Sequence, residues 1–524
     1  MKNEKFNLVD DKWIPVIMSD GTNIDVSLMD IYDKTNIVEI DLKPINKISV
    51  LNLLVTITSA ALGDDDLKDE TSWYSCYDKI SSRSKEYLNK HHDQFYLYGE
   101  HPFMQIGNLQ SPKANLTEIE KIFIDKVSGT NGKALFDKSL LLKKKYTDAE
   151  TAIALLTFLC YHWSEKSSVA VVNNTQTSTY TKDCTESKHI TTRILGCNII
   201  KTIWYNLPTI DIVKKYMDST CSGLGEPMWE YDSINLTASR SNDGKKSVTL
   251  IKTHNNNENT FNGRTVPLSR MIKICDNGVI LGSGIEYECY SKVEDKIHEF
   301  RDIYTPFTER HDTKKPEIKF LSPIGVSSEK QPWRDLHSIL STTSNKKSPI
   351  LEHLDTLVDN ENNDNVVIVC CGLEMIGNQK NVPNNQIEWR LRLSTENISD
   401  ENVIMYSNCV DKAEKTCSFL IGRIKKEYKE TYGNMADLKR DGKIIGMISN
   451  IKTSYWNELN KYSNVLFNKV CENTSTSYDW WNEIIYNTVN LMVESYVKKY
   501  DESNGKMYNK IKFGIKPMKT LNDT

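Results

Sequence analysis

Histidine beside carboxylate is where hydrolytic chemistry would start in this chain, and His91-His92-Asp93 is the one constellation of that kind. A His-Asp pair is the core of one class of metal-dependent phosphohydrolase. That class needs further His and Asp ligands from other helices, because a hydrolytic metal is held by several side chains at once. Sequence alone supplies no such partners, and the triplet follows the end of a polar helix, where exposure to solvent is the plain reading. His311-Asp312 and Asp335-Leu336-His337 have no more support. Carboxylates cluster at Asp10-Asp11 and Asp64-Asp65-Asp66, but in turn-like contexts. A catalytic dyad needs shared burial to split its pKa values. No Gly-x-x-x-x-Gly-Lys-Ser/Thr loop is present, and Gly223-Leu224-Gly225 and Gly282-Ser283-Gly284 are too short to cradle phosphate, so both read as turns. No Gly-x-Ser-x-Gly elbow occurs. No catalytic residue, metal ligand or cofactor is assigned. A phosphohydrolase or nuclease centred on His91-His92-Asp93 stands as the alternative reading.

A chain of 524 residues, 39% hydrophobic and 26% charged, has ordinary globular composition and is too long for one core, so two or three domains are expected. No run of 18 apolar residues marks a membrane span, and Met1-Lys2-Asn3-Glu4-Lys5 lacks the apolar stretch of a signal peptide, so a cytoplasmic location without a membrane partner is expected. The 12 cysteines contain no Cys-x-x-Cys pair, which argues against a disulfide framework or a structural zinc site and for small buried thiols. A net charge of −4 argues against coating nucleic acid by bulk electrostatics. It leaves room for contact through a few loops. Lys143-Lys144-Lys145, Lys245-Lys246, Lys425-Lys426 and Lys498-Lys499 read first as solvated surface.

The elements that would position functional loops can be sketched from periodicity. Phe6-Asn7-Leu8-Val9 and Trp13-Ile14-Pro15-Val16-Ile17 read as a hairpin around Asp10-Asp11, with Asp20-Gly21 at the next turn. Apolar helices are predicted over 46–62 and 149–163, a short one over 117–127, and another opening at Gln331-Pro332-Trp333. Ser164 to Lys188 is polar and aperiodic, a long surface loop of the sort that carries function. Asp243-Gly244 and Asn277-Gly278 mark turns in an α+β middle region. Val366 to Gly372 reads as a buried strand, Asn378 to Gln386 as a polar loop, and Ile387 to Leu393 as a second strand. From Val403 to Tyr496, apolar residues recur at spacings of three and four in three runs, with a weaker run from Lys506 before Pro517. The fold class is therefore α+β: a mixed domain over 1–398, then an antiparallel four-helix bundle over 399–524.

Several blocks taken together resemble one family. Phe6 to Val16, His101-Pro102-Phe103-Met104-Gln105, Ala134-Leu135-Phe136-Asp137, Leu236-Thr237 with Ser239-Arg240, and Trp333-Arg334-Asp335-Leu336-His337 occur in the order found in the CasA family, the large subunit of the type I-E CRISPR surveillance complex Cascade. The resemblance implies a non-enzymatic protein whose partners are CRISPR RNA, the other Cascade subunits, double-stranded target DNA and a helicase–nuclease. It implies that Leu135, Phe136, Asp137 and Lys138 contact the 5′ RNA handle and a neighbouring subunit. It implies recognition of the protospacer-adjacent motif from the minor groove, followed by a glutamine-tipped wedge that opens the duplex. The wedge falls on Asn378, Gln379 and Lys380, with Gln386 as a competing glutamine, and Lys296 corresponds to a lysine that reaches the motif. Where the family commonly carries a glycine-rich segment, this chain has Val169 to Ser178 without any glycine. Asn173 and Asn174, with Gln176, are the side chains there that could read base edges.

Overall fold

The computed structural model describes residues 5–112, 116–125, 145–217, 223–231, 236–243, 246–287, 301–311, 315–317, 319–340, 346–359, 365–376, 382–433, 438, 441–472, 474–502 and 505–515. Leu135, Phe136, Asp137, Lys138, Lys296, Asn378, Gln379 and Lys380 lie outside the described residues. The chain divides into two compact units, Met1–Val326 with Lys346–Trp389, and Ser327–Asn345 with Arg390–Thr524.

The first unit is built on the helix Pro44–Asp66. Pro44 suits its first turn, where the missing N–H has no helical partner, and Ile45 to Ser59 are nearly all buried around its whole circumference. The helix is long and apolar enough to span a membrane by length and composition, although polar residues interrupt its apolar run; 83% of its most apolar window is buried within the protein. A second buried helix, Asp148–Tyr161, opens on a reciprocal cap: Thr147 Oγ1 accepts from Glu150 N at 3.1 Å and Glu150 Oε2 accepts from Thr147 N at 2.9 Å. Both helices pack on an antiparallel sheet in which Asn365–Ile376 lies between Thr191–Leu195 and Val382–Ser394. Ile45, Ile48, Cys160, Tyr161, Leu195, Val369, Cys371, Leu373 and Met375 form one continuous core cluster there. Seven of the ten described cysteines are buried free thiols, as their scattered spacing suggested.

This core holds a charge that periodicity could not reveal. Arg193, fully buried, donates to Asn52 Oδ1 at 2.7 Å and to Glu186 Oε1 at 2.9 Å, and its guanidinium lies 3.4 Å from the centre of the Tyr304 ring. Burial works against the Glu186 carboxylate, but Arg193, His189 and Asn52 together hold its pKa below the usual range.

The N-terminal hairpin differs from expectation. Lys5–Asn7 pairs with Tyr96–Tyr98, while Ile14–Met18 pairs with Asn23–Val26 and Ile37–Ile40. The turn at Asp20-Gly21 makes the hairpin, with Gly21 at φ +83°, a conformation costly for any residue with a Cβ. The Asp10-Asp11 stretch is instead folded back by Asn7, whose side chain accepts from Val9 N at 2.9 Å. The helix expected over 117–127 shrinks to a 3-10 turn, Ile119–Ile122, because Thr117 is drawn into backbone pairing with Val279.

The second unit is largely helical. Its described helices are Asp400–Tyr432, Gly442–Asn460, Ser463–Glu472, Thr474–Met492 running on through a π turn to Lys498–Tyr500, and Lys506–Ile515. The helix expected around Ile448 to Val470 is broken after Asn460. Residues 327–345, assigned by sequence to the first domain, cluster with these helices through Trp333 and Arg334. Fully buried Trp333 donates to Asn460 Oδ1 at 2.6 Å, and Arg334 lies 3.5 Å over Trp456 while donating to Glu414 at 2.8 Å.

Candidate nucleic-acid interface

Two hairpins carry the residues singled out by sequence. The first replaces the long aperiodic loop after the helix Asp148–Tyr161. Its two sides are laddered from root to tip: Glu165 with Thr181, Lys166 with Tyr180, Ser167 with Thr179, Ala170 with Thr177, then Val171–Val172 against Thr175–Gln176. Asn173 and Asn174 form the two-residue turn, exposed, at φ +47° and +58°. Two consecutive positive φ values are what a tight hairpin of this hand requires, and asparagine is the non-glycine residue that tolerates them best. The turn is thus made without glycine, by residues that tolerate its φ values and add amide side chains.

This arm is seated on its neighbours. Gln110 and Val171 exchange both backbone hydrogen bonds, at 2.8 and 3.0 Å, and Asn108 Nδ2 lies 3.3 Å from Asn173 Oδ1. Ser178 N donates to Ser283 Oγ at 2.9 Å, and a Cβ at Gly282 would stand 2.9 Å from both Ala170 Cβ and Thr177 Oγ1, so the strand Gly278–Ser283 approaches the arm too closely for a side chain there. Gly282 has a packing role rather than a phosphate-binding one.

The segment His101 to Gln105 is what fixes the neighbouring loop. Buried Phe103 stacks on Phe95 with centroids 5.2 Å apart, and Gln105 donates to Leu97 O and accepts from Ile274 N, both at 2.8 Å. Gln105 thereby ties the loop to the strand Arg270–Cys275. His101 itself is exposed, so anchoring falls to Pro102, Phe103 and Gln105.

The second hairpin is Asn365–Ile376 with Val382–Ser394, joined by residues 377–381. Both strands run several residues beyond the expected ends at Gly372 and Ile387. Asn384 donates to Glu374 across the pair at 2.6 Å. Gln386 sits within the strand and its Oε1 faces Ile45 N at 3.4 Å, at the start of the core helix. Lys47, close by on the same helix, pairs with Glu39 at 2.5 Å and approaches Glu388 at 3.7 Å. Gln386 therefore lies within the paired strand, engaged at the core helix, whereas Gln379 is the midpoint of the connecting sequence.

The His91-His92-Asp93 constellation does not converge. His91 Nδ1 lies 2.8 Å from Gln94 Oε1 and takes no part with the other two; His92 lies between Asp10 Oδ2, 2.7 Å from its Nε2, and the exposed Asp93, whose Oδ1 is 3.4 Å from its Nδ1. Hydrogen bonding to Asp10 lifts the His92 pKa above its ordinary value, which favours an ion pair over metal ligation. Among the described residues, no group of three His, Cys, Asp or Glu side chains is placed to hold a metal. Asp335 pairs with Lys330 at 2.6 Å.

The sequence matches the family described as CRISPR-associated protein Cse1 over residues 7–490. The chain belongs to the Cse1 family. A curated relative, CRISPR-associated protein CasA/Cse1 of Thermus thermophilus, is 29% identical over 157 residues, which is 29% of this chain and 30% of that protein. The aligned stretch thus spans less than a third of that relative. A crystal structure of Thermus thermophilus CasA superposes with a TM-score of 0.73 at 18% identity, covering 99% of this chain and 100% of that one. Thermobifida fusca Cse1 gives 0.75 at 16% identity, covering 98% and 97%. A chain of a CRISPR RNA-guided surveillance complex gives 0.67 at 13% identity, covering 98% and 99%. At such identities the likeness is one of fold, and it agrees with the mixed architecture followed by a helical region. The Cse1 resemblance read from the blocks between Phe6 and the terminal helices holds.

Proposed function

We propose that this chain is the non-catalytic large subunit of an RNA-guided CRISPR surveillance complex of the Cascade kind. Family membership over residues 7–490 carries the reading. In it, Leu135, Phe136, Asp137 and Lys138 contact the RNA handle and a neighbouring subunit. Asn173 and Asn174 meet the minor groove at the protospacer-adjacent motif, with Lys296 nearby, and Asn378, Gln379 and Lys380 form the wedge. The subunit then docks the helicase–nuclease. The complex acts in the cytoplasm.

The physics suits the chain. The minor groove offers a degenerate pattern of acceptors and one guanine donor, and an asparagine amide can answer either, so a two-residue turn is enough to sample it. Opening the first base pairs costs a few kcal/mol of unstacking, offset by RNA–DNA pairing. A net charge of −4 is compatible with this work when partner subunits supply the positive channel. Gln379 is preferred to Gln386 as the wedge because Gln386 is held within the paired strand, where its Oε1 accepts from Ile45 N.

The reading predicts that the isolated chain binds duplex DNA weakly and without sequence preference, and that motif discrimination emerges only in the reconstituted RNA-guided complex. Tight, sequence-specific binding by the isolated chain would overturn it. Leu135→Ala with Phe136→Ala should release the subunit from the complex, and unchanged co-purification would reject that contact.

A further inference from the structure

We infer that Arg270 is a positioning residue that clamps the root of the arm and so sets where Asn173 and Asn174 stand. The inference rests on the reading that the arm's tip meets DNA. Arg270, first residue of the strand Arg270–Cys275, is 3% exposed. Its Nη2 donates to Trp163 O and to Lys182 O, each at 2.8 Å. Those carbonyls belong to the two ends of the arm, where the chain leaves the helix Asp148–Tyr161 and where it returns. One guanidinium nitrogen thus spans the base of the whole excursion, while Nη1 donates to Ser269 O at 2.7 Å. The planar fork of arginine allows this; a lysine ammonium would not hold two carbonyls in the same fixed geometry.

The surroundings keep this cation in place. Buried His162 presents Nδ1 to Arg270 Nη2 at 3.2 Å. The same Nδ1 lies 3.1 Å from Trp163 O, one of the carbonyls that Arg270 binds. Burial, then Arg270, then Lys121 hold the His162 pKa well below its ordinary value, and the ring stays neutral. Of the other charged groups at the root, Glu165 lies 3.7 Å from His162 Nε2 and pairs with Lys121 at 2.8 Å. Asp183 accepts from Ser164 N at 2.7 Å and pairs with Lys188 at 2.7 Å. The same strand pair that starts with Arg270 continues to Gly282 and Ser283, against which the outer part of the arm rests. Arg270 therefore joins the arm's root to the surface that supports its tip.

The test uses the complete chain in the reconstituted complex and duplex DNAs chosen from a randomised-motif library by the wild-type complex. Arg270→Lys keeps the charge and loses the fork. It should leave subunit incorporation unchanged and lower motif discrimination at least about tenfold, the effect of losing one or two good hydrogen bonds. In the isolated chain it should raise amide hydrogen exchange over 165–181, with 365–376 unchanged. Wild-type discrimination and wild-type exchange would overturn the inference. Asp183→Ala removes a neighbouring tie, the acceptor for Ser164 N, without touching the buried cation; should Arg270→Lys not fold, this variant must raise exchange over the same residues, and no change would reject a polar clamp. The exchange measurement needs no DNA. If replacing Asn173 and Asn174 by glycine leaves DNA binding unaltered while Arg270→Lys still frees the arm, the DNA reading fails and the clamp stands.

Discussion

The arm and the long hairpin are held in opposite ways. The hairpin of Asn365–Ile376 and Val382–Ser394 enters the core: Val369, Cys371, Leu373 and Met375 are buried against the two apolar helices. The arm from Ser164 to Asp183 buries little beyond Ala170, Val172, Thr177 and Thr181, and is held by backbone ladders and by Arg270, Asp183 and Gln110. Apolar burial fixes an element with tolerance for polar change. Polar ties fix one through a few groups whose loss is felt locally. On the proposed function, the first arrangement suits a strand pair that carries a wedge, and the second a reader that settles into a groove.

The sharpest break between them is expected from Leu373→Ala, which removes a buried side chain from the core cluster. It should cost about 3 kcal/mol in chemical denaturation. A loss under about 1 kcal/mol would mean that the long hairpin is not anchored by burial. Asn173→Val with Asn174→Val forces β-branched residues into positive φ and should cost roughly 1–2 kcal/mol per residue, confined to the arm by hydrogen exchange. Asn173→Gly with Asn174→Gly keeps the turn, so its stability effect should stay within about 0.5 kcal/mol. Any larger fall in motif discrimination would then report the amide side chains.

A smaller, pH-dependent contrast is expected at the roots. The His162 pKa is well below 6.5 in the folded protein, through burial and the neighbouring Arg270 and Lys121. Its contribution is therefore fully present above pH 6.5 and is lost as pH falls below that value, because the unfolded chain then binds the proton more readily. Hydrogen exchange over 165–181, after correction for intrinsic rates, should rise from about pH 7 to about pH 5, the range in which an ordinary histidine titrates, more than exchange over 365–376. Equal behaviour in the two hairpins would remove the contrast.

The contrast also explains what was legible in the sequence. The run Val366 to Gly372 announces a strand because burial on both faces demands β-branched and apolar residues. The helices around Ile48, Leu155 and Tyr406 announce themselves by spacing. The arm does not: its ladder is backbone, its side chains are largely Ser, Thr, Lys and Asn, and no alternation marks its faces. The one local signal was Asn173-Asn174, a pair suited to a two-residue turn. Arg270 and Arg193 were out of reach because buried arginines are recognisable only once their carbonyl, carboxylate and ring partners are brought together. The N-terminal hairpin was misplaced since Lys5–Asn7 takes a partner far along the chain, at Tyr96–Tyr98. The family resemblance survived these local errors because it rests on the order of short blocks, several of which pack as anchors, as Phe103 and Trp333 do.

The most direct test of the account is the rate of strand opening next to the motif. A duplex carrying 2-aminopurine in the first base pairs reports unstacking as a rise in fluorescence. The wild-type complex should open the duplex promptly. Gln379→Ala with Lys380→Ala should assemble and recognise the motif yet open it at least about tenfold more slowly, since unstacking then lacks its wedge, and Gln386→Ala should open it at the wild-type rate. Opening at the wild-type rate by the Gln379 and Lys380 variant, or a selective loss in the Gln386 variant, would contradict it.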